Sequence, residues 1–266
     1  MTAPHPSPLR AATAFVALAF ALSWAAWLPI VAAGGVIVRG SGTPTHFVGL
    51  LGPALAALAL AGWAGRAALA DLLGRILPER FSPVGAALAL SPGVVIAGLL
   101  VAGDDPAGLA QFSGLPVMPL LALFALVLFV NGLGEELGWR GFLLPRLQAR
   151  WGPVAGALAT GLVWAAWHLP LFFVVASYLA LPGWVILVGF LPGLMAGSLV
   201  LAHVTARAGV LGAAVWHALY NMAVATALAD GAKPVIAGLA LVWAVALVAT
   251  PAGRRALRVP PPGGAA

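Results

Sequence analysis

Long apolar runs recur along the whole chain and restrict its fold more than any other feature. The first extends from about Ala11 to Ala33, which is long enough to cross a bilayer. Because a chain in hydrocarbon must satisfy its backbone hydrogen bonds internally, apolar runs of this length form helices. The sequence therefore predicts an all-α, polytopic transmembrane helix bundle of about eight spans. The seven further runs lie at roughly 47–65, 84–103, 117–144, 154–178, 183–204, 208–229 and 233–250.

Composition agrees with a membrane location. Hydrophobic residues make up 62% of the 266 residues and charged residues only 8%, too few to coat a soluble domain. No loop is long enough to hold a second domain, so we predict a single membrane domain over residues 1–266. The first run is longer than the core of a secretory signal and is followed by further spans, which favours a retained anchor. The absence of cysteine excludes a thiol nucleophile and thiolate-bound zinc.

The distribution of basic residues indicates the orientation of the spans. With eight spans, both termini lie on the same side as the loops after spans two, four and six. Cytoplasmic loops carry an excess of basic residues, so we predict cytoplasmic N- and C-termini. The high ratio of arginine to lysine is typical of a GC-rich bacterial genome and suggests a bacterial cell membrane. The predicted cytoplasmic side carries Arg10, Arg66, Arg75, Arg80, Arg140, Arg146, Arg150, Arg207, Arg254, Arg255 and Arg258, against Arg39 and Lys233 on the other side.

This uneven charge also limits the partners to be expected. We attribute the net charge of +6 to membrane topology, so we expect the lipid bilayer as a partner and no nucleic acid. The C-terminal segment 251–266 is rich in proline and glycine, and we predict that it forms a flexible cytoplasmic tail.

Two adjacent carboxylates interrupt the fourth apolar run. Ionisable groups within a membrane span are costly, so Glu135 and Glu136 need an explanation. Glu136 and Arg140 are four residues apart and can pair on one helical face, whereas Glu135 points about 100° away from Glu136. We interpret Glu136 and Arg140 as a supporting ion pair and Glu135 as the reactive group. The alternative is that both acids only fill an interface between helices.

Three more polar groups lie within later spans at a similar depth. At about 1.5 Å per residue, Glu135 and His217 both lie roughly 15 Å from the predicted cytoplasmic side. His168 and Asn221 lie roughly 20–24 Å from that side by the same rise. Each could be a buried residue with satisfied hydrogen bonds, but their common depth favours one shared site that is reachable from the cytoplasm.

The order and spacing of these polar residues resemble the motifs of the CPBP family of CAAX proteases and bacteriocin-processing proteins. The resemblance covers about residues 117–229 and implies that this range is the catalytic core. Relatives in the family include type II CAAX endopeptidases, which cleave prenylated CaaX proteins. A tryptophan stands where the family more usually has phenylalanine, which we expect to reshape the pocket wall. The matching motifs are Glu135-Glu136-x-x-x-Arg140, Trp164-x-x-x-His168 and His217-x-x-x-Asn221.

The resemblance implies a function and a role for each residue. Glu135 and His168 would hold and activate the attacking water, and His217 with Asn221 would stabilise the oxyanion. The protein would then be an intramembrane endopeptidase whose site opens toward the cytoplasmic side. Its substrate would be a peptide or protein, and a lipid-modified tail is one candidate.

The residues leave two questions open. Glu135, His168 and His217 would be an acceptable ligand set for zinc. The same groups suffice without a metal, which we favour because His217 is better employed as an oxyanion donor, so we expect no required cofactor. The alternative function is a non-catalytic membrane scaffold or bacteriocin-immunity protein, in which the polar cluster only locks the bundle. A transporter is a third reading, since buried acids and histidines also form proton relays.

Overall fold

The computed structural model of the protein describes residues 8–78, 82–228 and 233–264. Within these ranges the chain is helical, and its only β pairing consists of isolated bridges. Arg80 and the ends of the predicted core and tail, at residues 229 and 265–266, lie outside the described residues.

Thirteen α-helices occupy the described part of the chain, and short π-helical and 3-10 turns extend several of them. The α-helices are α1 Pro8–Ala32, α2 Phe47–Leu50, α3 Gly52–Ala64, α4 Arg66–Gly74, α5 Pro83–Val101, α6 Leu120–Val127, α7 Gly134–Glu136, α8 Leu144–Trp167, α9 Ala176–Leu179, α10 Gly183–Val185, α11 Leu191–Val224, α12 Lys233–Ala249 and α13 Pro251–Ala256. The π-helical turns are Leu128–Leu133, Leu137–Leu143 and Ile186–Phe190.

Five helical runs within the described residues are long and apolar enough to cross a membrane. Two are too long for one crossing, because Leu120–Phe173 has 54 residues and Gly183–Val224 has 42. A straight helix of 54 residues would measure about 80 Å, against about 30 Å of hydrocarbon. Gly152 (φ 80°) breaks the first run and Gly209 (φ 68°) the second, in a backbone region that glycine enters without steric cost.

Dividing these two runs at their glycines turns five runs into seven segments. The shorter apolar helix α12, with 17 residues, follows them in the chain. The resulting segments agree in position with the eight predicted spans, and the prediction of an all-α polytopic bundle is confirmed.

The loops of the bundle gather at two opposite ends. At one end the loop after α1 pairs with two later loops, through bridges from Ile37 to Val175 and from Arg39 to Ser113. The connection after α11 joins them, since the Ala227 N–H donates to a carbonyl in the same region. We call residues 33–46, 102–119, 174–182 and 225–228 the loop end.

The other end of the bundle holds the first and last described segments of the chain. The N–H groups of Val210 and Leu211 donate to the carbonyls of Arg75 and Ile76, which joins the loops after α4 and before the second part of α11. The start of α1 borders a shallow pocket with Arg150. We call residues 65–78, 146–152, 205–211 and 250–264, together with the first turn of α1, the basic end.

The C-terminal segment packs against the basic end. Gln148 Oε1 accepts a hydrogen bond from the Val259 N–H at 3.0 Å, and its Nε2 donates to the Leu257 carbonyl at 2.8 Å. The Leu257 side chain is fully buried. The structure therefore differs from the flexible tail predicted over 251–266, because side chains from the bundle satisfy backbone groups of the segment and its apolar residues are buried.

Close contacts between helices hold the acidic segment in place. A Cβ atom at Gly132 would lie 2.7 Å from the Ala214 carbonyl oxygen, and one at Gly138 would lie 2.6 Å from the Pro53 carbonyl oxygen. Side chains at these positions would therefore push neighbouring helices away. The two glycines flank α7, which lies between two π-helical turns, an irregularity that is frequent at functional sites.

Candidate active site

A cavity of about 520 Å³ within the bundle brings together the residues predicted as a site. Glu135, His168, His217 and Asn221 all line it, and so does Trp164. The first three of these residues are buried and Asn221 is partly exposed. Three separate membrane segments supply them, so the site exists only in the assembled bundle.

Glu135 is held through one of its two carboxylate oxygens. The Trp164 Nε1–H donates a hydrogen bond to Oε2 at 2.7 Å. Oε1 receives no hydrogen bond from the described residues and is left for the cavity. We expected Trp164 only to shape the pocket wall, and the sequence carried no signal for this donor beyond the residue type itself. The indole thus fixes the carboxylate and leaves one oxygen free.

Glu136 joins two elements that are distant in the sequence. Its Oε1 accepts from Arg140 Nη1 at 2.9 Å, as the four-residue spacing predicts, and all of these atoms are buried. The same oxygen lies 2.8 Å from His217 Nδ1. An ionised carboxylate only accepts, so Nδ1 carries the proton and Nε2 of His217 points away from Glu136. Spacing along one helix could not predict this contact.

His168 follows the last residue of α8 and is oriented by that helix. Its Nδ1 lies 2.8 Å from the Trp164 carbonyl oxygen, which can only accept a hydrogen bond. Nδ1 therefore donates, and in the neutral ring Nε2 is left as an acceptor. The ring packs edge-on against Phe190, with the ring centroids 5.6 Å apart. This tautomer suits a residue that binds or deprotonates water.

Two asparagines border the same cavity. Asn221 is one turn beyond His217 on α11, so the two side chains project from the same helical face. Asn131 is one turn before Glu135, and its Oδ1 has no hydrogen-bond partner among the described residues although the side chain is 5% exposed.

The three residues named as an acceptable ligand set for zinc, Glu135, His168 and His217, do not form a metal site in the described structure. Among the described residues, no group of three histidine, aspartate or glutamate side chains could hold a metal ion. The hydrogen bonds of these residues to Trp164, a backbone carbonyl and Glu136 leave one atom of each residue free, so it is the placement of the three side chains that does not fit a metal ion. The mechanism proposed below contains no step at a metal.

Two residues of the loop end line the cavity although the sequence did not indicate them. His46 is 8% exposed, and burial lowers its pKa from 6.5 to about 4. Burial also raises the pKa of Tyr178 from 10.0 to about 12. Both side chains are therefore neutral near pH 7. They add polar groups to a wall that is otherwise largely apolar.

The cavity lies toward the loop end of the bundle. Its lining includes Ser113, Val175 and Tyr178 of the loop end, and no described lining residue belongs to the basic end. The first and last described residues lie at the basic end, so the cavity lies toward the opposite end of the bundle from them, whereas the predicted cytoplasmic termini and cytoplasmic site together required the same end. His168 follows the end of its helix, next to the loop end, in agreement with the depth of roughly 20–24 Å from the opposite side that the helical rise predicts.

Comparison with known proteins agrees with this geometry. Residues 117–223 match the family model of the type II CAAX prenyl endopeptidase Rce1-like proteins, and this range contains every candidate site residue named from the sequence. A stretch of 92 residues is 34% identical to CAAX prenyl protease 2 of Methanococcus maripaludis. That alignment covers 34% of this chain and 34% of the archaeal protein. The resemblance drawn from the motifs is confirmed: residues 117–223 are similar to the Rce1-like, type II CAAX prenyl endopeptidase family.

Proposed function

We propose that the protein is an intramembrane endopeptidase that hydrolyses a peptide bond inside the cavity. The observation that carries this proposal is the convergence of Glu135, His168, His217 and Asn221 on one cavity. The family match over residues 117–223 supports the same reaction class. We infer the roles of the individual residues from the hydrogen bonds that leave specific atoms free.

Glu135 and His168 are suited to activate a water molecule. Glu135 Oε1 and His168 Nε2 are both acceptors, so a water between them can donate a hydrogen bond to each while its lone pair faces the scissile carbonyl carbon. As the water attacks, one proton passes to Glu135, which acts as general base. The same proton then passes to the leaving amine as the carbon–nitrogen bond breaks.

His217 and Asn221 are suited to stabilise the oxyanion that forms during this attack. The Asn221 amide can donate directly. His217 already donates from Nδ1 to Glu136, so it donates from Nε2 only as an imidazolium, and the Glu136 carboxylate stabilises that cation. Donors placed in a cavity from which water is largely excluded stabilise developing charge more strongly than they would in water. Arg140 in turn holds Glu136 in position.

The proposal also includes a class of substrate and the side of the membrane from which the substrate enters the cavity. We propose a peptide or protein substrate next to the bilayer, with lipid-modified tails as one candidate, and a bacterial cell membrane as the location. The arginines at the basic end favour cytoplasmic termini. The scissile bond would then enter the cavity from the loop end, on the non-cytoplasmic side of the membrane.

The test compares membrane-protein termini in cells that contain wild type, Glu135→Gln or Asp104→Asn at equal abundance. Glu135→Gln removes the base with almost no change in shape, and Asp104→Asn is the matched change at an exposed acid of the loop end. We expect new N- and C-termini with wild type and Asp104→Asn, and none with Glu135→Gln. Identical termini in all three would overturn the peptidase and leave a membrane scaffold as the better reading.

A further inference from the structure

The chain contains only two tyrosines, against 11 phenylalanines, and both tyrosines line the cavity. Tyr178 belongs to α9 at the loop end, and Tyr220 belongs to the second part of α11. Tyr220 lies three residues after His217, so it shares the helical face of that residue. The two tyrosines therefore reach the cavity from elements that only the folded bundle brings together.

Aromatic neighbours hold both tyrosine rings in place. The ring centroid of Tyr178 lies 5.1 Å from that of Phe172 and 5.5 Å from that of Phe190. Tyr220 stacks on Trp216, with the centroids 4.9 Å apart and the ring planes 13° from parallel. A phenylalanine could make the same ring contacts, so packing explains the two rings but not the two hydroxyl groups.

The two hydroxyl groups are unpaired and accessible. Neither has a hydrogen-bond partner among the described residues, and each oxygen keeps accessible surface in a half-buried side chain that lines the cavity. Removing a hydroxyl from water without a hydrogen bond costs free energy. Tyrosines in the interfacial belt of a membrane protein avoid this cost by lying at the headgroup level, whereas these two line an internal cavity. The hydroxyls are therefore placed to bind a polar group that enters the cavity.

Tyr178 also lies near the reactive carboxylate. Burial raises the pKa of Tyr178 from 10.0 to about 12, with further contributions from Glu135 and then Tyr220, so both groups lie within electrostatic range of its hydroxyl. A tyrosine with this pKa keeps its proton near pH 7 and can donate a hydrogen bond to a carbonyl oxygen. A peptide main chain carries such an oxygen at every residue, whereas a hydrocarbon chain carries none.

We propose that the hydroxyls of Tyr178 and Tyr220 bind main-chain carbonyl groups of the substrate beside the scissile bond. This inference rests on the proposed function and deepens it. The residue pairs described above activate the water and stabilise the oxyanion, and the two tyrosines hold the peptide next to them. Because main-chain groups are common to all peptides, this contact positions the peptide without selecting a particular sequence.

The test measures binding to purified Glu135→Gln protein in proteoliposomes, so that binding is separated from cleavage. Two probes are compared by fluorescence anisotropy: a fluorescein-labelled heptapeptide of alanine and leucine, and a fluorescein-labelled dodecyl chain without peptide groups. Each is measured with Glu135→Gln alone and with Tyr178→Phe, Tyr220→Phe or Ser41→Ala added. Ser41 is the control, since it is exposed at the loop end and does not line the cavity.

We expect each tyrosine change to weaken heptapeptide binding by roughly two- to tenfold, which corresponds to the loss of one hydrogen bond between neutral groups. Ser41→Ala should leave heptapeptide binding unchanged, and all variants should bind the dodecyl probe equally. The melting temperature should not fall in either tyrosine variant, because phenylalanine keeps the ring contacts and no hydrogen bond between described residues is lost.

Unchanged heptapeptide binding in either tyrosine variant would overturn the proposal, as would an equal loss for both probes or the absence of binding to Glu135→Gln alone. A lower melting temperature would show that the hydroxyl has a structural role and would also overturn it. Weakened heptapeptide binding, combined with cellular termini that Glu135→Gln leaves unchanged, would refute the peptidase and retain the tyrosine site.

Discussion

Replacing Trp164 with phenylalanine tests whether the indole positions the reactive carboxylate. The change removes the 2.7 Å hydrogen bond from Nε1 to Glu135. It keeps an aromatic ring against His168 and His217, whose centroids lie 5.6 Å and 5.4 Å from that of Trp164. The packing of the site is therefore largely retained, and the main loss is one donor to Glu135.

The size of the effect follows from the kind of hydrogen bond that is lost. A hydrogen bond to a charged group contributes about 1.5–3 kcal/mol. If the bond mainly holds the carboxylate in its reactive orientation, the loss falls on the transition state, and each 1.36 kcal/mol lowers the rate about tenfold. We therefore expect kcat to fall by about 10- to 150-fold, with KM nearly unchanged because the indole donor does not bind the substrate.

The first assay measures how fast the termini that depend on the wild-type protein appear. The values of kcat and KM are then measured on a peptide that spans the cleavage site identified from those termini. Trp139→Phe is the matched control, since Trp139 is fully buried and its Nε1 has no hydrogen-bond partner among the described residues. Equal rates for the two variants would refute the positioning role. A change in KM alone would show that Trp164 contacts substrate instead.

Three further predictions follow from the structure. In the cysteine-free chain, Ser177→Cys at the loop end should react with a membrane-impermeant maleimide in intact cells, and Arg150→Cys only after permeabilisation; the reverse pattern would place the termini outside. Glu136→Gln should lower the melting temperature and the cleavage rate, since removing one partner of a buried ion pair costs about 3–5 kcal/mol; an unchanged melting temperature would contradict the buried pair. Phenanthroline should leave the cleavage rate unchanged, and a loss that zinc restores would refute the metal-free mechanism.

The positions of the membrane segments could be read from the sequence, because the bilayer acts as a uniform solvent. An apolar run of sufficient length must form a helix there, whatever its neighbours are. The Glu136–Arg140 pair was equally accessible, since a four-residue spacing places two side chains on one helical face before any tertiary contact forms. The motifs around Glu135, His168 and His217 were enough to indicate the family.

Contacts between segments that are distant in the sequence could not be predicted from the sequence and are known only from the tertiary structure. The hydrogen bond between His217 and Glu136 joins residues 81 positions apart, and that between Trp164 and Glu135 joins residues 29 apart. Such contacts depend on the rotation and tilt of each helix, which packing with all its neighbours decides. The same is true of the C-terminal segment, whose polar and proline-rich sequence is typical of a flexible tail until Gln148 supplies its partners.

The sequence by itself therefore determined what lies within one helix: the apolar segments, the paired acid and base on one face, and the order of the polar residues along the chain. Only the tertiary structure decided which free atoms face the cavity and that the cavity lies at the loop end, opposite the first and last described residues. The physical reason is that hydropathy and helical periodicity act locally, whereas the position of a cavity depends on how helices distant in the sequence pack together.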